Sequence, residues 1–131
     1  MTKPTLHCAC PILLVRDLHT SITYYRDCLG FDQVHLYNDP PDFAIVSRDQ
    51  VTFMLALLPK KAEHKPHWHT IDKMWNAYVF VDDARSLYEE FRSQNATIDY
   101  ELHEKPYGCL EFGIQDPDGH DIAFAQDLSK K

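Results

Sequence analysis

The stretch YGCLEFGIQDPDGHDIAF, residues Tyr107–Phe124, decides how this chain folds. Cys109–Gln115 alternates apolar and polar side chains, Asp116-Pro117-Asp118-Gly119 is a turn sequence, and His120–Gln126 alternates again. Period-two alternation on both sides of such a turn predicts a β-hairpin, since alternate strand residues share one face. Pro117 presets φ for the turn and Gly119 accepts the positive φ that closes it. Glu111 and Gly113 then point one way while Phe112 and Ile114 point the other. A carboxylate on an aromatic-rich strand is the distinctive group of this hairpin. His120, beside the turn, is expected at the surface.

Working outward, the chain repeats one order of elements. Cys10–Val15 reads as a strand, and Asp17 is an N-cap for a helix whose apolar positions Leu18, Ile22, Tyr25 and Leu29 recur at helical spacing. Gly30 closes that helix. Phe31–Tyr37, Phe43–Ser47 and Val51–Leu58 follow as strands, so the first part reads βαβββ. The polar connection through Pro59–Met74 holds Lys60, Lys61, His64, Lys65, Pro66, His67, Trp68 and His69, and is read as structureless. After it come a strand at Trp75–Val81, an N-cap at Asp83, a helix carrying Leu87, Tyr88 and Phe91, a strand at Ile98–His103, and the hairpin.

A shift of 66 residues lays Val15 on Val81, Asp17 on Asp83, Ile22 on Tyr88, Tyr25 on Phe91 and Arg26 on Arg92. A shift of 69 lays Val51–Met54 on His120–Ala123. Two copies of one unit are the reading. Module one spans about residues 7–59, the linker about 60–74 and module two about 75–126, together one α+β domain. The expected architecture is two βαβββ modules forming a curved mixed sheet with the helices outside and a ligand site on the concave face.

Composition narrows the role. The 131 residues are 44% hydrophobic and 12% aromatic, enough for a core, and the net charge of -7 disfavours nucleic acid and anionic membrane surfaces as partners. It favours a cationic ligand. No apolar run approaches the ~20 residues of a membrane-spanning helix, and Met1–Pro4 does not resemble a signal peptide. Cys8, Cys10, Cys28 and Cys109 form no CxxC pair, so reduced cysteines in a cytoplasmic protein are expected.

Two motifs carry a resemblance over nearly the whole chain, from Cys10 to Phe124. Pro11-Ile-Leu-Leu-Val-Arg-Asp17 with Tyr24-Tyr25-Arg-Asp-Cys-Leu29-Gly30-Phe31, and Glu111-Phe-Gly-Ile-Gln-Asp116-Pro117-Asp118-Gly119-His120, resemble the vicinal-oxygen-chelate superfamily of glyoxalase I, bleomycin resistance proteins and extradiol dioxygenases. Lys105-Pro106-Tyr107-Gly108 most resembles the bleomycin resistance branch, with Tyr107 where that branch typically has Trp. The resemblance implies paired βαβββ modules and a homodimer whose pockets use both chains. It also implies that metal-dependent members take one ligand from each of four strand positions, which fall here on Cys10, Met54, Asn76 and Ala123. Those residues offer no carboxylate and no imidazole, so no metal and no other cofactor is expected.

Candidate binding residues follow. Trp68, Trp75, Tyr78 and Tyr107 offer stacking area for a planar or cationic group. Counting across the turn fits Glu111 awkwardly to the parity of Ala123, and the resemblance places it in the pocket, as a partner for a cation or as a general base. Cys10, Met54 and Asn76 would line the same pocket. His64, His67 and His69 could hold a metal but read as a solvated loop, and Cys10 reads as a small hydrophobe rather than a nucleophile. The leading reading is a metal-independent small-molecule binding protein of the bleomycin-resistance type with no catalytic residues. A glyoxalase-like lyase or isomerase, with an atypical metal site or Glu111 as base, is the alternative, and a protein-interaction module is a third.

Overall fold

Each half of the chain builds a four-stranded mixed sheet, and both sheets have the same strand order. The computed structural model describes residues 3–60, 62–63, 65–71 and 74–129. Strands β1 (Ile12–Val15), β2 (Gln33–Tyr37), β3 (Phe43–Arg48) and β4 (Val51–Leu57), with helix α1 (Leu18–Asp27), make the first module. Strands β5 (Ala77–Phe80), β6 (Thr97–Glu104), β7 (Cys109–Gln115) and β8 (Asp121–Asp127), with helix α3 (Ala84–Ser93), make the second. The sheets run β1-β4-β3-β2 and β5-β8-β7-β6, the outer parallel pair in each being β1 with β4 or β5 with β8. No strand pairing joins the two sheets among the described residues.

Asp17 and Asp83 cap α1 and α3 as expected, each accepting the backbone N–H three residues on, from Thr20 and Ser86 at 3.1 Å. Three strands start two residues later than the sequence reading has them, and other ends move by one. β1 starts at Ile12, so Cys8 and Cys10 precede the strand; β2 starts at Gln33; and β5 is confined to Ala77–Phe80. The connection is not structureless. His67–Thr70 forms a short helix, α2, and Trp68 Nε1 donates to the Gly119 carbonyl at 2.6 Å, tying it to the hairpin turn.

The repeat extends into the core. Tyr25, Phe31 and Phe53 cluster in module one, and Phe91, Phe112 and Phe124 in module two, with Phe31–Phe53 and Phe112–Phe124 stacked at 5.3 and 5.5 Å. The two sets form one continuous buried cluster. The registers also correspond. Met54 lies opposite Ile45 and Ala56 opposite Phe43 in the first sheet, while Ala123 lies opposite Gly113 and Ala125 opposite Glu111 in the second.

The hairpin turn does more than reverse the chain. Asp116 accepts four hydrogen bonds: from Tyr25 OH at 2.9 Å, from the backbone N–H of Asp118 and of His120 at 2.9 Å each, and from His120 Nδ1 at 2.7 Å. A carboxylate only accepts, so His120 Nδ1 carries the hydrogen. Burial, and then the Asp116 carboxylate, push the Tyr25 hydroxyl well above the usual phenol range, keeping it a donor. Asp118 accepts from the backbone N–H of Arg16 at 3.0 Å, from Arg16 Nε at 2.9 Å and from Ser21 OH at 3.2 Å. The turn of module two is thereby clamped to the β1–α1 corner of module one. His120 is 1% exposed, which overturns its surface placement: its ring is drawn inward by Asp116. At the other end, Arg48 bridges the modules with a two-pronged contact to Glu90, at 2.6 and 3.0 Å.

No helix among the described residues is long and apolar enough to cross a membrane. Their cysteines are unpaired.

Candidate functional site

Phe112, Ile114, Ile122 and Phe124 face the core, so the alternate residues of β7 and β8 form the open face of the second sheet. On that floor Glu111 lies opposite Ala125, Gly113 opposite Ala123, and Gln115 opposite Asp121. Glu111 and Ala123 therefore share a face, which resolves the parity left open by counting across the turn. β5 sets Tyr78 beside Ala123, and β6 sets Tyr100 opposite Gly113 and His103 opposite Glu111.

Glu111 is fully buried, at 0% exposure, and three tyrosines hold it. Tyr78 OH and Tyr107 OH each donate to Oε1 at 2.6 Å, and Tyr100 OH donates to Oε2 at 2.5 Å. Trp75 Nε1 donates in turn to Tyr100 OH at 3.0 Å. The Trp75 and Tyr78 rings meet edge to face at 4.9 Å, Phe80 packs on Tyr78 at 5.2 Å, and Lys105 Nζ lies 5.1 Å from the Tyr100 ring centroid. A buried carboxylate costs several kcal/mol unless its lone pairs are filled. Three charge-assisted bonds of about 1.5–3 kcal/mol each offset that cost. Desolvation, and then Glu111, push the three phenols up, Tyr107 to about 12 and the other two further, so all three remain donors.

Tyr100 is the member that the sequence reading missed. Strict alternation would give it the face of Ile98, which packs on the core. The ladder slips between Ile98, opposite Ile114, and Tyr100, opposite Gly113, so Asp99 is the extra residue of a β-bulge and Tyr100 turns to the open face. Gly113 was the available signal, because a glycine inside a strand marks a close approach. A Cβ there would stand 2.2 Å from Tyr100 Cε1.

Of the residues expected in the pocket, Glu111, Tyr78, Tyr107 and Trp75 come together. Trp68 sits at the hairpin turn instead, against His69 and Gly119. Cys10 lines a cleft of about 460 Å³ with Tyr78 and Phe80, and burial together with the Cys8 thiol pushes its own thiol up, away from nucleophilic character. Met54 lies on the first sheet, opposite Ile45 on β3 and beside Ile12 on β1. Asn76 Oδ1 accepts the His67 N–H at 3.2 Å, and His67 Nδ1 contacts the Trp75 carbonyl at 3.0 Å. His64 and Lys61 lie outside the described residues.

The four strand positions that would carry a metal do not fit one. Cys10 presents a single thiol, Ala123 a methyl group, Met54 a thioether and Asn76 an amide whose oxygen is engaged. Among the described residues no three His, Cys, Asp or Glu side chains come together in a ligating group.

Asp121, on the same floor, carries a testable electrostatic signature. Burial, then the neighbouring Asp99 and Asp116 carboxylates, raise its carboxyl from an ordinary 3.8 to about 6 against the lowering effect of Gln115. The folded state thus holds this proton more tightly than the unfolded chain, and the group's contribution to stability falls as pH rises from about 3.8 to about 6. Asp121→Asn should raise the melting temperature at pH values above 6 and leave it unchanged below 3.8. Equal shifts on both sides of that window would show that the carboxyl is not perturbed.

A family model described as Glyoxalase/Bleomycin resistance protein/Dioxygenase superfamily matches residues 5–124. The chain belongs to that superfamily. It is similar to the bleomycin-binding protein of Streptomyces verticillus, solved with copper(II)-bleomycin, with 26% identity, 93% of this chain and 97% of that one covered, and a TM-score of 0.70. It also shares its fold with lactoylglutathione lyase of Agrobacterium tumefaciens, at 17% identity, 98% of each chain covered and a TM-score of 0.70. The Bacillus subtilis protein YwbC, itself uncharacterized, is 29% identical over 119 residues, which cover 87% of this chain and 92% of that one. The proteins that share this fold thus include both a bleomycin-binding protein and a lyase.

Proposed function

We propose that this protein binds a small planar or cationic molecule without a metal, in the manner of a bleomycin-sequestering protein, on the open face of its second sheet. The observation that carries the reading is the Glu111 carboxylate gathered by Tyr78, Tyr100 and Tyr107 beside Ala123, which stands where a metal ligand would be needed. The carboxylate supplies the charge, and the rings of Trp75, Tyr78 and Tyr107 supply stacking area. Tyr107, 55% exposed, is the donor most readily displaced by an incoming cation. The similarity to the Streptomyces verticillus protein supports the ligand class.

The alternative, a lyase or isomerase with Glu111 as base, is less well supported. Oε1 already accepts two bonds and Oε2 one, so few lone pairs remain to take a substrate proton. In our reading a second copy of the chain covers the first sheet's open face, where Ile12, Leu14 and Tyr37 are 59%, 44% and 46% exposed, and so gives the pocket its other wall. The unpaired cysteines are in keeping with a cytoplasmic location.

The test is a titration of Trp75 fluorescence with a metal-free bleomycin-type glycopeptide in the presence of a chelator. Saturable quenching is expected, and Glu111→Gln should weaken it at least about tenfold, the equivalent of about 1.4 kcal/mol. Quenching that requires added metal, or an unchanged affinity in Glu111→Gln, would sink the proposal.

A further inference from the structure

Where the two modules meet alongside α3 they leave a cavity of about 520 Å³, and the binding role given to Glu111 makes no use of it. Small-molecule sites typically measure roughly 300–1,000 Å³ and are mostly apolar with a few polar groups. Val51 of module one and Val79, Leu87 and Phe91 of module two supply the apolar lining. Phe80 stands beside them on the edge strand β5 and is 67% exposed. The charged groups around this lining are unbalanced. Arg48 is the one cation among them, and it is spent: Nη1 and Nη2 reach Glu90 at 2.6 and 3.0 Å, and Nη1 also donates to the Leu29 carbonyl at 2.9 Å. Asp83 caps α3 through Ser86 and has Arg85 beside it. Asp49, at the β3–β4 turn, reaches only Arg48 Nε, at 4.0 Å. Asp82 takes part in no ion pair among the described residues. One carboxylate from each module is thus left on the rim with little or no counter-charge.

We propose that this cavity is a second ligand site, independent of Glu111, for a small amphipathic amine. The apolar body of the amine lies on Val51, Val79 and Leu87 against Phe80, and its ammonium group meets Asp49 and Asp82 at the rim. Charge complementarity selects the cation, because the lining carries Asp49, Asp82, Asp83 and Glu90 against a single guanidinium that is already paired. The Phe80 ring adds a face on which an ammonium group can rest. Access differs from that at Glu111, where a tyrosine must give way before a cation can enter. Asp49 and Asp82 are already open to solvent, so an ammonium group keeps part of its water as it binds. Both modules supply lining and rim, so the occupant recognises them only as a docked pair and holds them together.

Amide NMR of the full chain, titrated with phenethylamine, the neutral phenethyl alcohol and the anionic hydrocinnamate, tests this. The signals of Val51, Phe80 and Asp82 should move with phenethylamine while these same shifts persist in Glu111→Gln. Phenethylamine should bind at least about fivefold tighter than the alcohol, and hydrocinnamate should bind weakest. Asp49→Asn combined with Asp82→Asn should bring the amine down to the level of the alcohol, whereas Phe80→Ala should weaken both. Equal affinities for amine and alcohol, or a double variant that binds the amine like the wild type, overturn the site as one for cations. Movement confined to the Trp75 indole signal overturns it as well, and leaves the reading of Glu111 intact. If no probe moves these signals the proposal falls, and a dimer that Phe80→Ala dissociates would then assign the lip of the cavity to a contact between copies.

Discussion

Asp116→Ala is expected to cost about 3–5 kcal/mol of folding stability, measured as a fall in the urea midpoint at unchanged slope. The side chain collects Tyr25 OH, His120 Nδ1 and two backbone N–H groups at 2.7–2.9 Å. Tyr25 and His120 are 0% and 1% exposed, so their polar atoms cannot turn to water when the acceptor is lost. The turn would also lose the geometry that aims Asp118 at Arg16 and Ser21, so the loss spreads to the contact between modules. Asp116→Asn keeps the shape but presents an amide group to the same donors, and should lose nearly as much. A cost below about 1 kcal/mol, the value of one ordinary hydrogen bond, would show that the turn is punctuation and no clamp.

Gly113→Ala should abolish ligand binding and cost about 1–3 kcal/mol, the usual range for overpacking. The added Cβ would lie 2.2, 2.7 and 2.9 Å from three atoms of the Tyr100 ring. No rotation of the new methyl relieves that overlap, so the ring must lift away and surrender its bonds to Glu111 Oε2 and Trp75 Nε1. Glu111 would be left buried with two donors, both on Oε1. The control is Gly113→Ala combined with Tyr100→Ala, which should recover stability through the freed space but not binding. A single variant that melts and binds like the wild type would mean that Tyr100 does not lie against Gly113 in solution.

The sequence was informative wherever local chemistry acts over short range. Asp17 and Asp83 are N-caps because their carboxylates reach the N–H three residues on, and that is readable from residue type and the apolar spacing behind it. The overlay of Tyr25 on Phe91 reappears as matched positions in the two aromatic clusters. Glu111 was legible through the family resemblance, and Tyr78, Tyr107 and Trp75 as aromatics with stacking area to offer; the structure brings the four together. Tyr100 was hidden by a one-residue slip in β6, which alternation cannot register. His120 was misplaced because its partner, Asp116, acts across the turn and captures the ring inside. Trp68 went to the hairpin because a short helix, absent from the polar composition of the connection, carries it there.

The matched ladders of the two halves hold unequal cargo. Opposite Ala125 stands Glu111, and opposite the equivalent Ala56 stands Phe43; opposite Ala123 stands Gly113, and opposite Met54 stands Ile45. Tyr78, beside Ala123, has its counterpart in Ile12, beside Met54. One scaffold is thus present twice, inscribed once and left blank once. Ile12→Tyr, Phe43→Glu and Ile45→Gly would write the carboxylate, one of its tyrosines and the glycine of the second site into the first, at addresses that the duplicated register already supplies, which makes this chain a starting template for engineering a two-site binder.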